Sequence, residues 1–369
     1  MNIERIELAL LKLPYVHFFE TSFGREYDRT FMITKVYAGG VCGLGEVVAS
    51  EAPLYSSETT TTAWYVLKEF LIPLVFQKSL STPEEFYAAA RRFRGHLMAK
   101  AGLELAFWDL KAKQAGVPLW KLYGGVQSKI AAGVSCGIED SIPELLDRIE
   151  AYLKEGYQRI KIKIKPGWDV DACKAVRKKF PDVPLQVDAN GAYSLADQEH
   201  LKKLDAFGLL MVEQPFPPYD LWDHSRLQKE MKTPLCLDES ILSETTARQA
   251  FEMESCRIIN IKVGRVGGMV EAKKIHDFCL ANGIPVWCGG MLESGIGRAH
   301  NLHIASLPNF KFPNDLSASN RYYKQDLIDP EIVLEEGGWI RMPEGPGIGV
   351  NPVEGRIRKA TVQREVFVK

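Results

Sequence analysis

The chain predicts an α/β fold in which a closed parallel barrel follows a smaller α+β unit. Three observations carry this. From about residue 126 to about 320, short apolar runs alternate with helical segments, and eight such runs occur. Before that, residues 1–125 show no repeat, with strands first and helices after. Finally, Lys163, Asp188, Glu213, Asp238 and Lys262 stand at steps of 25, 25, 25 and 24 residues. A whole βαβ unit takes about 30 residues or more, so one strand with its return helix has roughly this length. Eight such units favour a closed barrel over an open sheet.

Residues 1–50 read as antiparallel strands. IERIELALLKL alternates apolar and polar positions, and FMITKVYAGG and VCGLGEVVA follow with glycine turns between them. The intervening HFFETSFGREYDR is aromatic and charged without a clear period and reads as a loop, either a lid or plain surface. Residues 60–125 carry apolar positions at helical spacing, and Thr82-Pro83-Glu84-Glu85 is a helix start. The barrel strands are expected at IAAGVSCGI, RIKIKIKP, PLQVDAN, LLMVEQPF, PLCLDES, RIINIKV, PVWCGGM and FPNDLSA. From about 321 the sequence turns β-like again, with GPGIGV and VQREVFV, and is expected to pack back on the first unit. The expected domains are therefore 1–125, completed by about 321–369, and a barrel over 126–320.

Composition narrows the function. Net charge is −1, from 46 Lys and Arg against 47 Asp and Glu, so no basic field exists to attract nucleic acid or anionic lipid. No apolar run approaches the roughly 20 residues that cross a bilayer, and residues 1–15 hold no signal-peptide pattern. The seven cysteines form no CxxC pair and are read as reduced, buried thiols of a cytoplasmic protein.

Asp188, Glu213 and Asp238 each close a strand, and in a parallel barrel such ends converge on the active site. Three clustered carboxylates repel one another unless a cation sits among them. All-oxygen ligation with open positions suits Mg²⁺ or Mn²⁺. Singly, each acid would more simply be a helix cap or salt-bridge partner; three at equal spacing favour the metal. Glu239 follows Asp238 and, by alternation, points elsewhere, in support of the ligands. Lys161 and Lys163 share one face of their strand while Ile160, Ile162 and Ile164 suit the helix layer, so the lysines point inward. Lys262 does the same from the sixth strand.

Two amines across a metal suggest proton abstraction beside a carboxylate. One lysine takes the proton and the cation stabilises the enediolate. The other lysine returns a proton to the opposite face or stabilises the intermediate as a cation. Neighbouring cations are expected to lower both amine pKa values. Arg265 either joins this chemistry or pairs with a carboxylate. GRVGG and GGMLESGIG make poor dinucleotide fingerprints; Gly289 and Gly290 more plausibly bring backbone amides to a substrate carboxylate. His300 and His303 are expected on the surface or in packing.

The motifs KIK at 161–163, VDAN at 187–190, VEQP at 212–215, LDES at 237–240 and NIKVGRVGG at 260–268 resemble the enolase superfamily, muconate lactonising subgroup. The resemblance spans nearly the whole chain and implies a modified TIM barrel, (β/α)7β, with an α+β capping domain built from both termini. It implies Asp188, Glu213 and Asp238 as Mg²⁺ ligands, Lys163 and Lys262 as the acid/base pair, and Lys161 as an orienting or tuning residue. Asn190, Glu239 and Arg265 stand behind them. FETSFGRE, SEAPLYSSE, SCGI, KIKIKPGWD, GGMLESGIGR and NDLSASNRYY are most similar to the o-succinylbenzoate synthase and N-acylamino acid racemase family. That match implies substrate contacts from Ser135, Gly290, Met291 and Leu292 in the barrel, and from Phe19, Arg25 and Tyr55 in the cap. Dipeptide epimerases carry Asp-x-Asp at the eighth strand, which Asp315-Leu316-Ser317 breaks; PVWCGGM lacks the histidine base of mandelate racemases. The implied partner is a small carboxylate with a succinyl or acyl tail, handled by a dehydratase, a racemase or both, in a homo-oligomer. A barrel kept only for binding or scaffolding is opposed by the intact acids and lysines.

Overall fold

A computed structural model describes residues 2–369. Strands β1 (Arg5–Thr21), β2 (Gly24–Ala38) and β3 (Val41–Val47) form an antiparallel sheet, which the C-terminal strand Thr361–Val368 completes beside β1. Helices α1 (Thr60–Val66), α2 (Ile72–Lys78), α3 (Pro83–Ala90), α4 (Leu97–Gln114) and α5 (Leu119–Tyr123) follow, with a π-turn at Leu67–Leu71 joining the first two. Thr82 caps α3 through the Glu85 amide, Pro83 takes the first helical position, and the Glu85 side chain answers the cap backbone.

Alternation divides the strands of this sheet between two cores. Ala9, Leu11, Phe31, Ile33 and Leu44 join the barrel's core, while Ile6, Leu8, Met32, Val36 and Val47 pack against α1–α4. α4 lies almost on the β3 backbone. A Cβ at Gly45 would collide with the Gly102 carbonyl, and one at Gly102 would meet the Val47 side chain.

The segment expected to be a loop, HFFETSFGREYDR (His17–Arg29), is instead the end of a long hairpin. β1 and β2 stay paired through Phe19↔Glu26, Glu20↔Arg25 and Thr21↔Gly24. A register shift between Pro14 and Phe19 breaks the two-residue period, and this arm lies over the barrel mouth rather than on a core. Apolar alternation, the signal of a half-buried strand, is therefore missing.

β4 (Lys129–Ala131) pairs with Trp339–Arg341, so IAAGVSCGI splits, and only its second half, β5 (Gly133–Cys136), enters the barrel. Then β6 (Arg159–Lys163), β7 (Leu185–Asp188), β8 (Val212–Glu213), β9 (Leu235–Leu237), β10 (Ile258–Ile261) and β11 (Val286–Cys288) lie parallel in consecutive order. After each strand from β5 to β11 comes a helix: α6 (Ile142–Glu155), α7 (Val170–Lys179), α8 (Gln198–Leu201), α9 (Leu221–Glu230), α10 (Glu244–Glu252), α11 (Met269–Ala281) and α12 (Gly295–Ala305). Residues 311–315 close the sheet. Lys311 and Asp315 amides bond Val286 and Cys288 carbonyls, while the Gly133 amide bonds Asn314 O and the Asn314 amide bonds Ala131 O. Pro313 has no amide to give, and this eighth segment stays irregular. The result is the (β/α)7β barrel with its capping sheet.

All seven cysteines are free and none is exposed. His300 and His303 are packing residues of α12, fully buried: His300 Nε2 bonds the Leu44 carbonyl and His303 Nδ1 accepts from the Trp120 amide. Among the described residues, no helix is long and apolar enough to cross a membrane.

Candidate active site

Asp188 ends β7, Glu213 ends β8 and Asp238 follows β9, so three neighbouring strands deliver carboxylates to one rim. All three are fully buried, and one oxygen from each lies within 4.8 Å of the others. This buried all-oxygen triad fits a divalent cation.

Polar side chains hold the triad in place. Glu213 accepts from Asn260 Nδ2 at 2.7 Å, Gln186 Nε2 at 2.8 Å and Lys161 Nζ at 3.0 Å. Asp238 takes an ion pair from Arg265, whose other nitrogens donate to the Ile241 and Asn260 carbonyls. The carboxylate that Arg265 pairs with is thus a member of the triad itself. Glu239 stays outside the triad and accepts from Asn190 Nδ2 at 2.7 Å. Asn190 sits at a φ of 45°, which aims its Oδ1 at Lys163 Nζ, 2.6 Å away.

The amines come from either side. Lys163 Nζ is 2.6 Å from Asp188 Oδ2. Lys262 Nζ is 2.7 Å from Asp238 Oδ2 and 3.3 Å from Tyr55 Oη, which itself donates to Asp238 at 3.2 Å. Lys161 lies deeper, between Asp315 (2.6 Å), Glu213 and Asp188 (3.2 Å). Burial, helped by the Lys161 and Lys262 charges, carries Lys163 below the ordinary lysine range despite Asp188. Burial also opposes the charge of Lys262, but Tyr55, Glu239, Glu213 and Asp188 surround it and raise it instead. The expected lowering therefore holds for Lys163 and not for Lys262. Asp188 is likewise opposed by burial, yet Lys163, Lys161 and Lys262 together hold its carboxyl below the usual range.

One cavity brings most of the expected substrate residues together. Phe19, Tyr55, Ser135, Lys161, Lys163, Asn190, Lys262, Gly290, Met291 and Leu292 all line it. Arg25 does not. Its Nε and Nη2 donate to Glu20 and Asp140, each at 2.6 Å, and its guanidinium lies on the Phe18 ring. With His17–Glu139 and Lys165–Glu20, both at 3.0 Å, it ties the hairpin tip to the barrel loops. Sequence reasoning missed Glu26, Arg29, Ser50 and Tyr322 in the lining, and Arg159, Gln186 and Asn260 behind it. The last three had a signal: each stands two or four residues before an inward residue already identified, in Arg159–Lys161–Lys163, Gln186–Asp188 and Asn260–Lys262. Arg159 is fully buried and pairs with Asp315 at 2.7 Å.

Known families and proteins match this arrangement closely. Residues 6–124 match the mandelate racemase / muconate lactonizing enzyme N-terminal domain, and residues 144–356 match the enolase C-terminal domain-like family. An o-succinylbenzoate synthase of Geobacillus kaustophilus is 50% identical over 368 residues, covering 100% of this chain and 98% of its own. An N-succinylamino acid racemase of Thermus thermophilus is 47% identical, covering 95% of each. The crystal structure of an enolase superfamily member from Listeria innocua superposes with a TM-score of 0.95 at 41% identity, over 100% of this chain and 99% of that one. The chain belongs to the enolase superfamily, within the mandelate racemase / muconate lactonizing enzyme family, and is an enzyme.

Proposed function

We propose that the protein is an o-succinylbenzoate synthase, dehydrating 2-succinyl-6-hydroxy-2,4-cyclohexadiene-1-carboxylate to 2-succinylbenzoate, the step that serves menaquinone synthesis. The observation that carries this is the pair of buried amines, Lys163 and Lys262, on either side of the carboxylate triad in one cavity. Relatives of that name at 42–50% identity support the choice of reaction. Asp188, Glu213 and Asp238 would hold Mg²⁺, which supplies positive charge for a substrate carboxylate that gains electron density.

The protein's own groups move the proton. Neutral Lys163 removes it from the carbon bearing the carboxylate, and Asn190 keeps that amine aimed. The pair of electrons left behind expels the hydroxyl from the neighbouring carbon. This hydroxyl takes the proton now on Lys163 and leaves as water, and the ring becomes aromatic. Lys262 remains an ammonium beside the developing negative charge. Phe19, Met291 and Leu292 exclude water from the reacting face.

A second activity is proposed on the same residues, racemisation of N-succinylamino acids. The position of Lys262 opposite Lys163 favours it, because a proton taken on one face can be returned on the other. The 47% identical N-succinylamino acid racemase supports this reading. Both are tested by assaying the cyclohexadiene acid and N-succinylphenylglycine with Mg²⁺ and with a chelator. Turnover of the first is expected to need Mg²⁺ and to fall by about 10²-fold or more in Lys163→Ala. Full activity of that variant would overturn the mechanism.

A further inference from the structure

Arg29 is a buried cation that forms no salt bridge among the described residues. It stands on β2 in step with Phe31 and Ile33, the residues of that strand that pack toward the barrel. It is 4% exposed. Nη1 donates to Ser50 Oγ at 2.7 Å and Nη2 donates to the Val48 carbonyl, both neutral acceptors. Among the described residues, no carboxylate oxygen lies within 4.0 Å of its guanidinium. Arg25, by contrast, is fully engaged by Glu20 and Asp140. A guanidinium taken out of water without a counter-charge is costly, and an anion bound beside it offsets that cost.

Arg29 and Ser50 line the same cavity as Lys163 and Lys262, from its cap side. The reacting carboxylate belongs at the barrel end, between the lysines. Both proposed substrates carry a second carboxylate, at the end of a succinyl arm. Resting on the proposed function, we infer that Arg29 seats the distal carboxylate of the succinyl arm, with Ser50 fixing the guanidinium, and so selects succinyl over neutral acyl substrates. A planar fork of N–H donors matches a carboxylate. Glu26, on the same wall, is the chain's own competitor for Arg29. Burial holds its carboxyl above the usual range, against the pull of Arg29, which lessens that competition.

The test compares binding of 2-succinylbenzoate with binding of 2-butyrylbenzoate, which carries a methyl in place of the distal carboxylate, by calorimetry with Mg²⁺ present. Wild type is expected to prefer the succinyl compound by about tenfold or more. Arg29→Gln should abolish that preference while leaving the butyryl affinity within about twofold, and Arg29→Lys should keep part of it. Equal losses for both ligands would mean a structural role only and would overturn the inference, as would an unchanged preference. If Arg29→Gln does not fold, Arg29→Lys is read instead: the preference should shrink, and an unchanged preference overturns the inference. Wild type that binds neither compound would remove the proposed function, and this inference with it.

Discussion

Lys163 and Lys262 reach the same space from strands on opposite sides of the triad, and each is held by different partners. Lys163 leans on Asp188 and Asn190, Lys262 on Asp238 and Tyr55. If they serve opposite faces of one carbon, removing either should affect the two enantiomers unequally. In D₂O, Lys163→Ala is expected to stop α-proton exchange from one enantiomer of N-succinylphenylglycine and keep it, slowed, for the other. Lys262→Ala should show the reverse. Mass spectrometry of each recovered enantiomer checks this, and loss of exchange from both in both variants would contradict the two-face arrangement. The inward direction of Lys161 and Lys163 was legible because their neighbours Ile160, Ile162 and Ile164 are apolar. Arg25 is spent on Glu20, five residues back in the same hairpin, and on Asp140, 115 residues away, and the second pairing has no local signal.

At the scale of elements, the cap depends on contacts that side-chain patterns do not announce. α4 packs on β3 because Gly43, Gly45 and Gly102 let backbone approach backbone. Gly45→Ala should push the helix off the sheet and cost about 1–3 kcal/mol, measured by chemical denaturation. The same junction reaches the barrel: Glu46 accepts from the Ser294 and Gly297 amides at the start of α12, and from Ser294 Oγ at 2.6 Å. The α3 cap at Thr82 was readable because its chemistry is local. The hairpin over the mouth was not. Its pairing is local, but its faces meet barrel loops and the cavity instead of a continuous core, so the apolar alternation that marks a strand is missing.

The whole molecule buries four histidines, His224, His276, His300 and His303, and burial lowers all four, which sets a sign for its acid stability. Burial pushes His300 down to about 4, His303 to about 3 and His224 to about 4. Unfolded histidines titrate near about 6.5, so between there and about 4 the unfolded chain binds more protons, and this stability is lost as pH falls. Glu46 and Glu104, raised to about 8 by burial, act in the opposite sense and are common to wild type and variant. His300→Gln is therefore expected to be less stable than wild type at pH 7, with the gap narrowing toward pH 4.5. Denaturant midpoints across that range test it; a constant gap would mean that His300 does not titrate on unfolding.

Local chemistry and regular spacing determined the barrel, the acid triad and the two amines. A βα unit has a nearly constant length, and a strand has a period of two, so residue number converts directly into position and face. Tertiary structure alone decided where the barrel closes, that Arg25 is spent on the hairpin and that Arg29 meets only neutral acceptors. Those outcomes depend on groups distant in the chain meeting in space: Asn314 against Ala131 and Gly133, Asp140 on Arg25, and only neutral oxygens on Arg29. No pattern along the chain encodes such meetings, because they are set by how the capping sheet lies against the barrel mouth.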